Sequence, residues 1–152
     1  TGIYHLINVM GNYRIEKKKI WKTPTTLVLE LYTKFHKGKI LKSVVNSSKF
    51  VSFKLGKQPE YKNNKLIDSA VTMNEKHMCM SVVNKSSSEK ILLKVPYLDR
   101  IAENYCIEGS NKVDLNTYAN TSKVKIKKNS LKTSKGFLIV PPHSISVVLF
   151  NI

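Results

Sequence analysis

The sequence predicts a mainly β fold, an antiparallel β-sandwich, for most of its 152 residues. The stretch 66–85, LIDSAVTMNEKHMCMSVVNK, contains two runs of alternating apolar residues around a polar corner at 74–76, which is the pattern of a β-hairpin. Short alternating segments separated by turn residues continue from Lys39 to the end of the sequence. Strong helical spacing is confined to residues 23–38.

Two helices are expected before the strands. The first covers Gly2 to Met10, where apolar residues recur at a short helical spacing. The second begins at Thr23-Pro24, because Thr is a favourable N-cap and Pro fits the first helical position. Its apolar residues recur at helical spacing, and Gly38 supplies its end.

The first segments expected as strands are 39–45 and 49–55, and the polar stretch 57–65 after them is expected to be a loop. The hairpin at 66–85 follows. Alternating apolar residues predict further strands, and the last two flank Pro141-Pro142-His143 as a closing hairpin. These further strands cover 91–95, 123–127, 137–140 and 144–150.

Along the second strand of the 66–85 hairpin, side chains alternate between two faces. We expect Cys79 to pack as a small apolar thiol, because it lies within this strand. Cys106 is the only other cysteine, and the pair forms neither a disulfide framework nor a metal-binding spacing. Both are therefore expected to be free and buried. The two faces carry Met78, Met80 and Val82 on one side and His77, Cys79, Ser81 and Val83 on the other.

The net charge of +16 raises the question of a nucleic-acid partner. However, 24 of the 26 cationic residues are lysines, and only Arg14 and Arg100 offer the bidentate guanidinium that nucleic-acid sites favour. The lysines are also spread along the whole sequence. A lysine-biased composition therefore explains the charge better than a nucleic-acid site, and we expect no nucleic-acid partner.

Several segments, taken in order, resemble the C-terminal region of family 51 α-L-arabinofuranosidases. The segment 23–38, TPTTLVLELYTKFHKG, resembles that family's linking helix, and 2–10, GIYHLINVM, resembles the last helix of its catalytic barrel. The other matching segments are the hairpin at 66–85, the Glu108-Gly109 step, the turn at Asn116-Thr117, Val124 in its strand, and the ending 136–150, GFLIVPPHSISVVLF.

This resemblance implies a domain order. Residues 1–22 would hold the last helix of a (β/α)₈ barrel and its connection, residues 23–38 the linking helix, and residues 39–152 a jelly-roll-like C-terminal β-sandwich. The parent protein would be a retaining glycoside hydrolase that removes terminal α-L-arabinofuranosyl groups from arabinan or arabinoxylan oligosaccharides. Its acid/base and nucleophile would be two glutamates of the barrel, which precedes this region.

The same resemblance predicts that these residues alone are inactive and carry no catalytic, metal or cofactor site. The domain would support the barrel of its own enzyme and contribute to homo-oligomer contacts. Without the barrel, an exposed apolar patch is expected around Ile3, Leu6, Ile7 and Met10. No apolar run is long enough for a membrane span, and the expected compartment is the cytoplasm.

Single residues offer few chemical candidates. No histidine makes a metal spacing or a nucleophile motif with a neighbour. Glu30 is expected to pair with Lys34 on the helix. Tyr61 and Tyr118, in polar loops, are the candidates for contact with a sugar ring. They support the alternative hypothesis of a free-standing carbohydrate-binding module, and a basic nucleic-acid-binding β-domain is the remaining alternative.

Overall fold

A computed structural model describes residues 6–8, 11–111 and 113–152. Within these residues the chain forms one α-helix, α1 (Pro24–Phe35), one 3₁₀ turn, Leu98–Arg100, and thirteen strands. The strands are β1 (Tyr13–Glu16), β2 (Lys19–Lys22), β3 (Lys39–Leu41), β4 (Lys49–Ser52), β5 (Tyr61–Lys65), β6 (Ile67–Met73), β7 (His77–Asn84), β8 (Ile91–Leu93), β9 (Ile101–Glu108), β10 (Lys125–Lys128), β11 (Lys132–Ser134), β12 (Phe137–Val140) and β13 (Ser144–Asn151).

The largest sheet has six antiparallel strands in the order β10-β9-β13-β7-β6-β3. The hairpin predicted over 66–85 lies within this sheet and consists of β6 and β7. Met73 pairs with Met78 across its turn. The corner forms because Asn74 Oδ1 accepts hydrogen bonds of 2.9 Å from the backbone N–H groups of Lys76 and His77. The hairpin prediction is therefore confirmed.

Side chains of each central strand alternate between the two faces of this sheet, so both faces carry apolar residues. A different element covers each face. In β13, Val148 and Phe150 belong to the cluster shared with the small sheet β11-β12-β8. Val147 and Leu149 belong to a second cluster, which α1 covers. Cys79 also lies in this second cluster. The predicted β-sandwich is confirmed, and α1 adds a third layer on its outer face.

The helix begins at Pro24, as predicted from the sequence, but Thr23 does not cap it with its side chain. Instead, Thr23 Oγ1 donates to the carbonyl of Asn12 at 3.0 Å and so joins the helix start to the preceding turn. The helix ends at Phe35. Gly38 follows with φ of +87°, where a Cβ would overlap the Met73 carbonyl, so glycine is required there.

Three expectations about the strands are wrong. The polar stretch expected as a loop contains β5, which pairs with β4 in a separate two-stranded sheet. Residues 137–140 and 144–150 do not form a hairpin, because β12 pairs with β11 and β8 whereas β13 pairs with β7 and β9. The corner at 141–143 therefore carries the chain from one sheet to the other. Only the first three residues of 39–45 form a strand.

The N-terminal part also differs from expectation. Residues 13–22, expected as a connection, form the β1–β2 hairpin. At the described residues 6–8 the chain is not helical, because Ile7 bridges to Tyr13 and Asn8 has a positive φ of 54°. The rest of the helix expected over 2–10 lies outside the described residues. Among the residues that are described, no helix has the length and apolar character needed to cross a lipid bilayer.

Candidate functional site

The two tyrosines that the sequence singles out lie in different elements. Tyr61 opens β5 and is 51% exposed. Tyr118 lies between β9 and β10, and the ammonium groups of Lys19 and Lys17 lie 4.4 and 5.4 Å from the centre of its ring. Trp21 contacts the same ring edge-on at 6.4 Å. The ring of Tyr118 therefore already packs against its own chain, which disfavours stacking of a sugar on it. Contact of Tyr61 with a sugar remains a prediction.

Two carboxylates, Glu103 and Asp114, are paired with lysines and have lowered pKa values. Glu103 accepts hydrogen bonds from Lys128 Nζ at 2.5 Å and Tyr105 Oη at 2.6 Å, and these contacts lower its pKa. Asp114 accepts from Lys123 Nζ at 2.7 Å and from two backbone N–H groups, which lower its pKa. A glycosidase acid needs the opposite shift, a raised carboxyl pKa. Neither residue is suited to that role.

Glu30 does not form the expected pair with Lys34. It binds Lys22 Nζ of β2 at 2.6 Å instead. Lys34 Nζ lies 5.0 Å from the ring centre of Phe35, so a cation–π contact replaces the predicted ion pair. Asp99 and Glu103, four residues apart in the sequence, do not share a helical face, because Asp99 lies in the 3₁₀ turn and Glu103 in strand β9.

In the part of the chain that the structure describes, the histidines and cysteines form no reactive centre. His36 Nδ1 lies 3.1 Å from Thr72 Oγ1, and burial lowers the pKa of this histidine. Cys79 and Cys106 are free and buried, as predicted, and burial raises the pKa of Cys79 to about 12. A thiol with so high a pKa is a poor nucleophile. Among the described residues, no group of three or more His, Cys, Asp or Glu could hold a metal ion.

The larger cavity has a volume of about 960 Å³ and opens between β8 and the β6–β7 side of the large sheet. Its walls are mainly apolar, with Val71, Met80 and Phe150 contributed by the large sheet. At its rim, Val44 is 84% exposed and Tyr97 is 57% exposed. Tyr97 has a positive φ of 61°, a rare conformation for an aromatic residue. The charged residues that line this cavity in the described part of the chain are Glu89, Lys90 and Lys94, so it offers apolar surface but no pair of carboxyl groups.

A second cavity of about 520 Å³ lies beside the corner between β12 and β13. Glu108 in its wall pairs with Lys127 at 2.5 Å. The corner is fixed by His143, whose backbone N–H donates to the Ser86 carbonyl at 2.7 Å and whose Nε2 lies 3.0 Å from the Gly109 carbonyl. This second cavity, which we call the basic cavity, is lined by Lys90, Glu108, Gly109, Ser110, Lys123, Lys127, Ser130, Lys132, Ile139, Pro141, Pro142 and His143.

Neither cavity is predictable from the sequence. The four lysines of the basic cavity come from three segments, at residues 90, 123–127 and 132, and are indistinguishable in the sequence from the other lysines. The Pro141-Pro142-His143 corner is the one available signal, and its pattern predicts a hairpin turn. The cavity beside β8 depends on how far the two sheets overlap, which alternating residues do not specify.

Comparisons with known proteins agree with the fold. The sequence profile of the family described as alpha-L-arabinofuranosidase C-terminal domain matches residues 3–144. A search of curated proteins found no match. The structure is similar to the alpha-L-arabinofuranosidase from Thermotoga maritima, solved as an arabinose complex, with a TM-score of 0.81 and 24% sequence identity over 98% of this chain.

Two further solved structures are similar. The family 51 alpha-L-arabinofuranosidase from Thermotoga petrophila has a TM-score of 0.78 and 24% identity over 96% of this chain. The family 51 arabinofuranosidase from Xanthomonas axonopodis pv. citri has a TM-score of 0.75 and 18% identity over 97% of it. The matched regions are 33%, 32% and 30% of the three proteins, so this chain spans about a third of their length.

Proposed function

The chain belongs to the alpha-L-arabinofuranosidase C-terminal domain family, and on that premise we propose that it is the β-sandwich domain of an α-L-arabinofuranosidase. The complete enzyme would be a retaining glycoside hydrolase that removes terminal α-L-arabinofuranosyl groups from arabinan or arabinoxylan oligosaccharides. The catalytic glutamates would lie in a (β/α)₈ barrel outside residues 1–152. The match of the family profile to residues 3–144 carries this proposal.

The carboxylates support the assignment of catalysis to another domain. A retaining glycosidase needs two carboxyl groups about 5 Å apart, one of them protonated. Here six carboxylates are paired with lysines. Two of them, Glu103 and Asp114, have lowered pKa values. Residues of this kind stabilise a surface and do not transfer protons to a leaving group.

The apolar cavity beside β8 favours a role for this domain in packing against the rest of the enzyme. The small sheet has three strands and faces a sheet of six, and β8 is an edge strand of the small sheet. Apolar surface and an unpaired strand edge are unfavourable in water. We infer that a segment from outside residues 1–152 covers this cavity and pairs with the edge of β8.

The exposed apolar residues near the N-terminus support a second contact with the barrel. Leu6 and Ile7 are 64% and 45% exposed, in agreement with the predicted patch. Ile3 and Met10, the other two members, lie outside the described residues. Contacts of this domain between subunits of a homo-oligomer are part of the same proposal. The proposed compartment is the cytoplasm, and the buried free thiols of Cys79 and Cys106 are compatible with its reducing conditions.

Hydrolysis of p-nitrophenyl α-L-arabinofuranoside tests the proposal. We expect no release of p-nitrophenol by residues 1–152 alone, because the acid and nucleophile are absent. A longer polypeptide that also contains the preceding barrel should release it, and NMR of the first-formed arabinose should show retained anomeric configuration.

The longer polypeptide with its two barrel glutamates changed to glutamine is the control for contaminating enzymes. Release of p-nitrophenol by residues 1–152 alone would contradict the proposal that catalysis belongs to the barrel. A correctly folded longer polypeptide without arabinofuranosidase activity would contradict the proposed activity itself.

A further inference from the structure

We propose that the basic cavity binds the carboxylate groups of uronic acid residues in acidic oligosaccharides. The preference for an anion follows from the charges of the cavity alone, and the choice of a uronic acid carboxylate rests on the proposed function. Such a site would hold the domain on acidic polysaccharides while the barrel acts on neutral arabinosyl branches.

The cavity concentrates positive charge from both sheets of the sandwich. Lys127 extends from β10 of the large sheet, Lys132 lies in β11 of the small sheet, and Lys90 immediately precedes β8. The fourth lysine of the lining is Lys123, and Glu108 is the one acidic residue of the lining. Like charges that converge on a concave surface raise its potential and attract anions.

Two of these lysines are not neutralised by the protein. Lys127 is paired with Glu108 at 2.5 Å, and Lys123 with Asp114 at 2.7 Å. Lys90 and Lys132 have no carboxylate within 4.0 Å among the residues that the structure describes. Their ammonium groups are therefore available for an anion from solution, and each would contribute a charge-assisted hydrogen bond to it.

The wall beside these lysines is held in place by His143. Its backbone N–H donates to Ser86 O at 2.7 Å, Nε2 lies 3.0 Å from Gly109 O, and Nδ1 lies 3.3 Å from Ser87 O. A wall fixed by three backbone contacts favours a preorganised site.

The other lining residues are suited to a sugar. Ser110 and Ser130 provide hydroxyl groups, and Ile139, Pro141 and Pro142 provide apolar surface for the C–H face of a pyranose ring. The volume of about 520 Å³ lies within the range of about 300–1,000 Å³ that is usual for small-ligand sites. Neither arginine of the chain lines the cavity, which disfavours a nucleic-acid duplex as its ligand.

Titration of residues 1–152 with trigalacturonic acid at low ionic strength, followed by calorimetry and amide NMR, tests this inference. We expect binding with shifts at the amides of residues 109–110 and 143, and none with neutral xylotriose. The double variant Lys90→Gln/Lys132→Gln should weaken binding at least about tenfold, which corresponds to about 1.4 kcal/mol. The matched control Lys39→Gln/Lys76→Gln removes the same charge from exposed sites near the β6–β7 turn, at the other end of the large sheet's strands, and should weaken binding less than about twofold.

Four outcomes would overturn the inference. These are no binding of trigalacturonic acid at millimolar concentration, equal weakening by the two double variants, displacement by an equal concentration of inorganic phosphate, and tighter binding of a DNA oligonucleotide through Lys90 and Lys132. The measurement requires no hydrolysis. Binding without arabinofuranosidase activity in the longer polypeptide would therefore contradict the proposed function alone, and activity without binding would contradict this inference alone.

Discussion

Asn84 contacts four backbone groups although its side chain is almost entirely buried. Its Nδ2 lies 2.8, 3.0 and 3.3 Å from the carbonyls of Pro141, Glu89 and Val140, which share its two N–H groups, and its Oδ1 accepts from the backbone of Ser86 at 2.9 Å. The residue thus joins the end of β7 to the corner that connects the two sheets. Buried polar groups of this kind are costly to leave without partners.

We expect Asn84→Ala to lower the free energy of unfolding by about 2–4 kcal/mol, because it leaves buried carbonyls without donors. Asn84→Asp should destabilise similarly at neutral pH, since a carboxylate cannot donate to those carbonyls. Urea unfolding monitored by circular dichroism measures both changes. The control Asn151→Ala, at the exposed end of β13, should change the free energy by less than about 0.5 kcal/mol. Equal effects at both positions would contradict this account.

His36 lies at the end of α1, where a positive charge would interact favourably with the helix dipole. Burial outweighs this effect and lowers the pKa of His36 from 6.5. Its Nε2 is buried and has no hydrogen-bond partner in the described structure, so a proton added there would also be poorly solvated.

The lowered pKa of His36 predicts a loss of stability in acid. Above pH 6.5 the side chain is neutral in both states and contributes no pH dependence. As the pH falls below 6.5, the unfolded chain takes up the proton more readily than the folded chain, so the free energy of unfolding decreases. His36→Gln should reduce this decrease in urea titrations at successive pH values, and His77→Gln, at an exposed position, should leave it unchanged. Identical pH dependence in wild type and His36→Gln would contradict the assignment.

At the scale of elements, Asn116 and Trp21 hold the β1–β2 hairpin against the rest of the fold. Trp21 Nε1 donates to the Asn116 carbonyl at 2.9 Å, and Asn116 Nδ2 donates to the Lys22 carbonyl at 3.0 Å. Asn116 Oδ1 also accepts a hydrogen bond from the Val124 N–H at 2.7 Å, and Asn116 Nδ2 donates one to the Val124 carbonyl at 2.9 Å. One side chain thus fixes β2 and the start of β10 together.

Asn116→Ala should release the hairpin without unfolding the sandwich, because it breaks the side-chain bond to Lys22 of β2 and the two bonds to Val124 that hold residue 116 in place. We expect amide hydrogen exchange in residues 13–22 to accelerate by at least about tenfold, with little change in β7 and β13. The control Asn120→Ala, in the exposed part of the same loop, should leave exchange in the hairpin within about twofold. Uniform acceleration through all strands would show that Asn116 stabilises the whole domain instead.

An element is predictable from the sequence where its own residues carry the pattern of a strand, a turn or a helix. The β6–β7 hairpin has alternating apolar residues and an Asn at its corner, and α1 has Pro24 and a regular apolar stripe. In contrast, β5 has the sequence YKNNK and was not recognisable, because β4 alone specifies its pairing. The corner at 141–143 joins two apolar strands, and a sheet-to-sheet crossing has the same local pattern as a hairpin. The cavities depend on the relative position of the sheets, which no single segment encodes.

At the scale of the whole molecule, the cavity beside β8 is the least complete part of the sandwich. Ser69 lines it from the middle of β6, opposite Val82 of the core. We expect Ser69→Leu to raise the thermal unfolding temperature of residues 1–152, since it adds about 0.5–2 kcal/mol of apolar contact inside the cavity. The same change should impair assembly and activity of the complete enzyme, because a segment from another part of the enzyme is proposed to occupy that space.

Ala70→Leu is the matched control, because Ala70 is the next residue of β6 and faces the opposite side of the sheet. It should not stabilise the isolated domain, and calorimetric melting of both variants would measure the difference. Equal stabilisation by the two substitutions would show that general hydrophobicity, and not the filling of the cavity, is responsible.

Strand β13 has a consequence for the synthesis of the protein. It occupies an inner position of the large sheet between β7 and β9, yet it is the last strand to be translated among those described. On the ribosome, β7 and β9 would therefore emerge without the strand that separates them, and their shared sheet could form only after residue 151 has left the exit tunnel. Until then the nascent chain exposes the apolar faces of both strands, so chaperone binding should be strongest after β9 has emerged and while β13 is still inside the tunnel.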